Sequence, residues 1–182
     1  MMELSSEALV WVDLEMSGLD PKKDKILEIA LLLTDKELNL LGPGLSMVIH
    51  QSDEILKNMQ AWCQKTHTDS GLVERVRQSS WTEASAAAEI LKFLQTQLTP
   101  HTSPLCGNSI WQDRRFICEY LPGLDQFLHY RCVDVSTIKE LARRWRPGLA
   151  ESFQKKSTHT ATSDIEESIA ELKFYREQGF IG

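Results

Sequence analysis

The chain has 182 residues, 42% hydrophobic and 25% charged, enough to core one globular domain. Its formal net charge of −6 excludes a long, sequence-independent grip on duplex phosphate. Cys63, Cys106, Cys118 and Cys132 are widely spaced with no C-x-x-C pair, which excludes a zinc ribbon or a small disulfide scaffold and points to free thiols.

The amino terminus, M-M-E-L-S-S-E, has the character of neither a secretory signal nor an Arg-rich transit peptide, and no apolar run reaches the length of a membrane span. Residues 9–14 are almost wholly apolar and predict a strand buried on both faces. Asp13 and Glu15 interrupt this stretch at i, i+2, so on a strand both leave the same face, close enough to share one ion. Two buried, unpaired carboxylates call for a compensating cation, and hard divalent ions such as Mg²⁺ or Mn²⁺ take such oxygen ligands. The alternative is a pair of acids at a solvated strand end. Residues 17–21 supply turn chemistry beside them. Residues 26–34 and 45–50 predict two more strands, separated by a polar turn at 35–39 and the Gly42-Pro43-Gly44 break; three in succession suggest an antiparallel meander. Glu28, inside the second, either approaches the first-strand acids or is hydrogen-bonded at an edge.

From residue 52 the pattern turns helical, with Met59, Trp62 and Cys63 at helical spacing and His67 four residues on. Trp62 is either a core residue or a platform for a nucleobase. After a break at residues 70–72, residues 81–98 predict an amphipathic helix with Ala84, Ala87, Ala88, Leu91, Leu94 and Leu98 on its packed side. Residues 105–107 read as a short strand, and Ser109-x-x-Gln112 has the form of a capping box, placing Asp113 in a first helical turn. Residues 130–135 predict another strand, and Ser136-Thr137 the cap of a helix over 138–145 that Pro147-Gly148 stops. His159 ends a polar loop carrying Lys155 and Lys156. A last helix spans 163–178, with Ser163-x-x-Glu166 as a second capping box and Asp164 in the first turn. Strands first, then helices alternating with strands, predict an α/β fold: one mixed β-sheet flanked by helices on both faces, residues 1–182 forming one domain.

D-L-E at 13–15, G-N-S-I-x-x-D-R-x-F at 107–116 and H-x-A-x-x-D-I at 159–165 resemble the three exonuclease motifs of the DEDD superfamily, in the subgroup with histidine five residues before the last aspartate. W-V-D-L-E-M-S-G-L, W-C-x-x-x-H-x-x-S-G-L, H-Y-R-x-x-D-V-S-T-x-K-E-L-A-R-R-W and D-I-x-E-S-I-x-E-L-x-x-Y are similar to the oligoribonuclease family, a match from Leu9 to Tyr175. The resemblance implies a ribonuclease H-like fold, homodimers, and 3′→5′ exonuclease activity on very short single-stranded RNA, especially dinucleotides, ending in 5′-mononucleotides. Carried over, Asp13, Glu15, Asp113 and Asp164 match the metal-binding acids and His159 the general base. Leu19 and Trp62 match residues that hold the bases, and Tyr130 a tyrosine delivered into the partner's site. Ser109, Arg131, Ser136 and Thr137 match a group that closes around a 5′ phosphate. Thr162 stands where the family usually has leucine, and Ser163 where a second acid is common.

The chemistry fits independently. Phosphodiester hydrolysis needs an activated water, charge neutralisation and help for the leaving oxygen, which two Mg²⁺ or Mn²⁺ ions about 3.5–4 Å apart supply. A proofreading-type DNA exonuclease and an inactive nucleic-acid-binding module of the same fold are the alternatives. All four acids and His159 are present, which disfavours the inactive module, and the H-Y-R…D-V-S-T block favours RNA over DNA. The family has cytoplasmic and mitochondrial members, so the expected location is cytoplasmic, with the mitochondrion as the alternative.

Overall fold

The computed structural model describes residues 7–154 and 160–181. Strand β1 (Leu9–Met16) is the central strand of a five-stranded mixed sheet. On one side β2 (Ile26–Thr34) and β3 (Leu45–Val48) extend it antiparallel, the expected meander; on the other β4 (Leu105–Gly107) and β5 (Cys132–Asp134) run parallel to it. The order is β3-β2-β1-β4-β5. Parallel neighbours need long crossovers, and here helices make them.

Those helices cover both faces. The short helices α1 (Asp53–Lys57), α2 (Ala61–Asp69) and α3 (Leu72–Gln78) close a satellite cluster over Leu27 that includes Met59, Cys63 and Val76. Helices α4 (Glu83–Gln95), α5 (Ile110–Tyr120) and α6 (Pro122–Phe127) bring Ile90, Leu94, Phe116 and Leu124 onto Val10, Val12 and Leu14. On the opposite face α7 (Val135–Trp145), α8 (Leu149–Ser152) and α9 (Ala161–Glu177) pack Val135, Ala150, Ile165 and Tyr175 around Trp11. Trp11 is fully buried, and its indole N–H donates to Thr34 Oγ1 at 2.9 Å. Among the described residues, no helix is long and apolar enough to cross a membrane.

Several local expectations are corrected, most of them by capping hydrogen bonds that residue pattern alone does not reveal. Thr82 caps α4 reciprocally with Ser85, leaving Trp81 outside; of the expected packed side Leu94 and Leu98 are buried and Ala87 and Leu91 pack against the core, whereas Ala84 and Ala88 are exposed and Ala86 and Ile90 point inward instead. Ser109 does not cap α5: it lies in the left-handed region at φ 51° and its hydroxyl bonds elsewhere. Asp134 caps α7 by accepting the Ser136 N–H at 2.9 Å, so Ser136 and Thr137 are already helical. Thr160 caps α9, and Ser163 returns the bond as its box partner, so Glu166 takes no part. The strand expected over 130–135 shortens to β5, leaving Tyr130 outside it.

Candidate active site

Side chains alternate across a strand, so Asp13 and Glu15 share a face with Trp11, the face that α9 covers. Asp164 stands in the first turn of α9, fixed by the Thr160–Ser163 box. Asp13, Glu15 and Asp164 each present a carboxylate oxygen, all within 4.8 Å of one another. Crowding and burial make the charged state costly. Burial pushes Glu15 up to about 7, helped by the negative charges of Asp164, Glu28 and Asp113 and partly opposed by Arg75. An all-oxygen, mutually repelling donor set of this kind fits a hard divalent cation.

Asp113 stands beside this group rather than within it. Register pairing of β1 with β4 ends at Trp11 opposite Cys106. Farther along that edge the Leu14 N–H donates instead to Asp113 Oδ1 at 3.0 Å. The carboxyl is 6% exposed, and burial raises it to about 7. Glu28 takes the hydrogen-bonded role. It sits opposite Glu15 in the β1–β2 register, buried, with two bonds from Arg75 at 3.0 and 2.9 Å and one from Ser46 at 3.0 Å.

A cleft of about 250 Å³ opens over the three acids, lined also by Leu19, Trp62 and His67. Cys63 and His67, one turn apart on α2, face inward, which turns the adjacent Trp62 outward. Trp62 is 71% exposed and Leu19 60%, so the core alternative for Trp62 fails. Leu19 rides on a stiff turn. Its carbonyl accepts from Gln112 at 2.7 Å, and a side chain at Gly18 would collide with the Asp24 carboxylate, which holds the Asp20 N–H at 2.9 Å. His67 is buried, and its Nε2 lies 2.9 Å from the Met16 carbonyl, a bond that requires the proton on Nε2. Its other ring nitrogen is 3.8 Å from the Glu15 carboxylate, and burial lowers its pKa. It ties α2 to the end of the acid-bearing strand.

A second group forms at the junction of β4, α5 and α7. Ser109 N–H donates to Asp134 Oδ1 and Ser136 Oγ, both at 2.9 Å, and Ser109 Oγ donates to Ser136 Oγ at 3.2 Å. These bonds hold Ser109 in a left-handed conformation that costs an L-residue about 1–2 kcal/mol. The remaining expected residues are not drawn into the acid cleft. Thr137 lines a different, mainly apolar cavity of about 510 Å³ with Leu9, Leu38 and Leu172. Tyr130 is 74% exposed, stacked on His129 at 4.5 Å, with the Arg131 guanidinium 5.5 Å from its ring. His159, with Lys155 and Lys156, lies outside the described residues. Two residues that sequence reasoning left without a role emerge from the structure, His67 and Asn108, while Gln112, expected as the capping-box partner of Ser109, holds the Leu19 carbonyl instead. His67 left a trace in its helical spacing from Cys63, and Asn108 in its place in the G-N-S-I motif.

The exonuclease family of the RNase T type matches residues 10–172. An oligoribonuclease of Photobacterium profundum is 54% identical over 98% of this chain and 99% of its own length. The oligoribonuclease of Pasteurella multocida is 53% identical over 97% and 96% of the two chains. Among solved structures, E. coli exonuclease I with a dA16 oligonucleotide superposes with a TM-score of 0.70 at 18% identity, over 94% of this chain and 41% of that one. Exonuclease I of Methylocaldum szegediense gives 0.69 at 19% identity, over 94% and 40%. The chain thus spans about two fifths of those structures and nearly all of the oligoribonucleases.

Proposed function

Given that the chain belongs to the oligoribonuclease family of exonucleases, we propose that it hydrolyses its substrate at the Asp13–Glu15–Asp164 cleft with the help of bound divalent metal. The protein is a 3′→5′ exoribonuclease of short RNA; in this reading its substrates are single-stranded, dinucleotides above all, and its products 5′-mononucleotides. One observation supports the reading of the site above others. Three carboxylates converge within 4.8 Å at the floor of a cleft whose mouth is an exposed leucine and an exposed tryptophan.

In this reading Asp13, Glu15, Asp113 and Asp164 hold two Mg²⁺ or Mn²⁺ ions. Such ions, when bound, activate water and neutralise charge on the reacting phosphate. The rest falls to the chain's own side chains. Trp62 offers a flat face on which a base stacks, and Leu19 an apolar edge, so the 3′ end is held in place. His159, five residues before Asp164, takes the proton of the attacking water, a task suited to an imidazole near neutral pH. Ser109, Arg131, Ser136 and Thr137 receive the 5′ phosphate, which favours chains short enough to reach both ends of the site. Tyr130 serves the partner's cleft in a homodimer, an assignment in keeping with its exposure and its absence from the lining of its own cleft.

The whole chain acts as one exonuclease domain. Its four cysteines are free, which suits a reducing compartment, and the cytoplasm is the proposed location.

The test is a product time course on 5′-labelled RNAs of two to ten nucleotides, with divalent metal or with chelator. Stepwise loss from the 3′ end, fastest on the two-mer and abolished by chelation, is expected. Equal rates at all lengths, or full activity in chelator, would overturn the reading.

A further inference from the structure

The Ser109–Ser136 pair is one end of a longer path. Ser136 Oγ donates to Asn108 Oδ1 at 3.1 Å, Asn108 Nδ2 donates to Ser168 Oγ at 2.8 Å, and Ser168 Oγ donates to the Asp164 carbonyl at 2.8 Å. Three links therefore run from the first turn of α7, through the β4–α5 junction, to the residue that carries the third clustered carboxylate. A hydroxyl has one proton to give. Without substrate, Ser136 spends its proton on Asn108 and Ser168 on Asp164, so each link has one direction. Ser136 Oγ is then an acceptor towards Ser109, and the Ser109 hydroxyl is the rotatable group facing outward. The far end is shielded: Ser168 is buried, and Asn108 Nδ2 also lies 3.4 Å from Glu171, which is fully buried. Hydrogen bonds away from water are stronger than in water, and in a chain they polarise one another.

We propose that Asn108 and Ser168 are positioning residues that couple the terminal-phosphate seat to Asp164. A 5′ phosphate, which only accepts, draws the hydroxyl proton of Ser109 off Ser136 or that of Ser136 off Asn108; either shift is passed along the path to the backbone beneath a metal-binding acid, so the phosphate raises turnover as well as affinity. This rests on the reading that Ser109 and Ser136 receive the phosphate. A path that merely satisfies polar groups in the interior would give no such coupling.

The experiment measures kcat and KM on dinucleotides with and without a 5′ phosphate, for the wild type, Asn108→Ala, Ser168→Ala and Ser136→Ala. The kcat advantage conferred by the phosphate should fall about threefold to tenfold in Asn108→Ala and Ser168→Ala, the scale of one net hydrogen bond. Ser168→Ala places the best helix former within α9, so it keeps the test alive if Asn108→Ala folds poorly. Equal losses on both substrates would make the path purely structural and overturn the proposal. If Ser136→Ala removes the phosphate advantage while the other two variants keep it, the coupling alone fails. If Ser136→Ala also keeps it, the phosphate seat itself is misassigned and the coupling falls with it.

Discussion

The Asp113 carboxylate accepts the Leu14 backbone N–H at 3.0 Å, at the residue between the two first-strand acids. One side chain thus completes an open strand edge and adds a fourth acid beside the cluster. The two roles separate by substitution. Asp113→Asn keeps an oxygen for Leu14 and should unfold in urea within about 1 kcal/mol of the wild type, while turnover falls at least about 10²-fold, the scale on which catalytic groups act. Asp113→Ala strands a buried N–H and should also lose about 1–3 kcal/mol of stability. Wild-type turnover in Asp113→Asn would remove the charge of Asp113 from the chemistry.

Trp62 is a cleaner probe of substrate grip, since at 71% exposure it contributes little to packing. Base–aromatic stacking is worth about 1–3 kcal/mol, so Trp62→Ala should raise KM for a dinucleotide roughly fivefold to 150-fold. The melting temperature should hardly move, and Trp62→Phe should recover part of the loss. A KM unchanged in Trp62→Ala would return the ring to the ordinary surface.

Glu15 and Asp113 both reach about 7, above their ordinary values of 4.5 and 3.8. Between those limits the native state without metal holds more protons than the unfolded chain, so its stability falls as pH rises towards 7. Divalent cations bind the deprotonated acids and stabilise by mass action, so their effect grows over the same range. Scanning calorimetry should show a larger rise in Tm on adding Mg²⁺ or Mn²⁺ at pH 8 than at pH 5.5, reduced in Glu15→Gln. Equal increments at both pH values would argue against binding at these acids.

A two-fold contact is reciprocal, so each subunit of the proposed dimer gives and receives Tyr130. Co-expressed Asp13→Ala and Tyr130→Ala chains, each inactive alone, should pair into heterodimers with one complete site. Random assortment restores about a quarter of wild-type activity. Sedimentation must first show both parents to be dimers. A mixture no better than the mean of its parents would confine Tyr130 to its own chain.

Periodicity disclosed where the elements and their faces lie, and the resemblance to a family implied which residues on them carry chemistry. Alternation along 9–16 places Asp13 and Glu15 on one face, and helical spacing brings Asp164 to the start of an inward-facing helix. What stayed hidden depends on partners distant in the chain. Nothing local marks Glu28 as the acceptor of Arg75, 47 residues on, or sends Ser109 into a left-handed turn to reach Asp134. Serine and threonine caps compete within a few residues of one another. The pattern T-x-x-S at 160–163 outranks S-x-x-E at 163–166 only because the chain enters α9 extended at Thr160. Trp62 illustrates the same limit. Its spacing suits burial, yet the inward places on α2 belong to Cys63 and His67.

The cluster joins the first strand of the sheet to the last helix described, 149 residues from Glu15 to Asp164. A fragment that contains β1 but stops short of Asp164 therefore carries Asp13 and Glu15 without the third carboxylate. The acid cluster is complete only once α9 has been made and has folded back onto β1, so no fragment that stops short of Asp164 holds all three carboxylates.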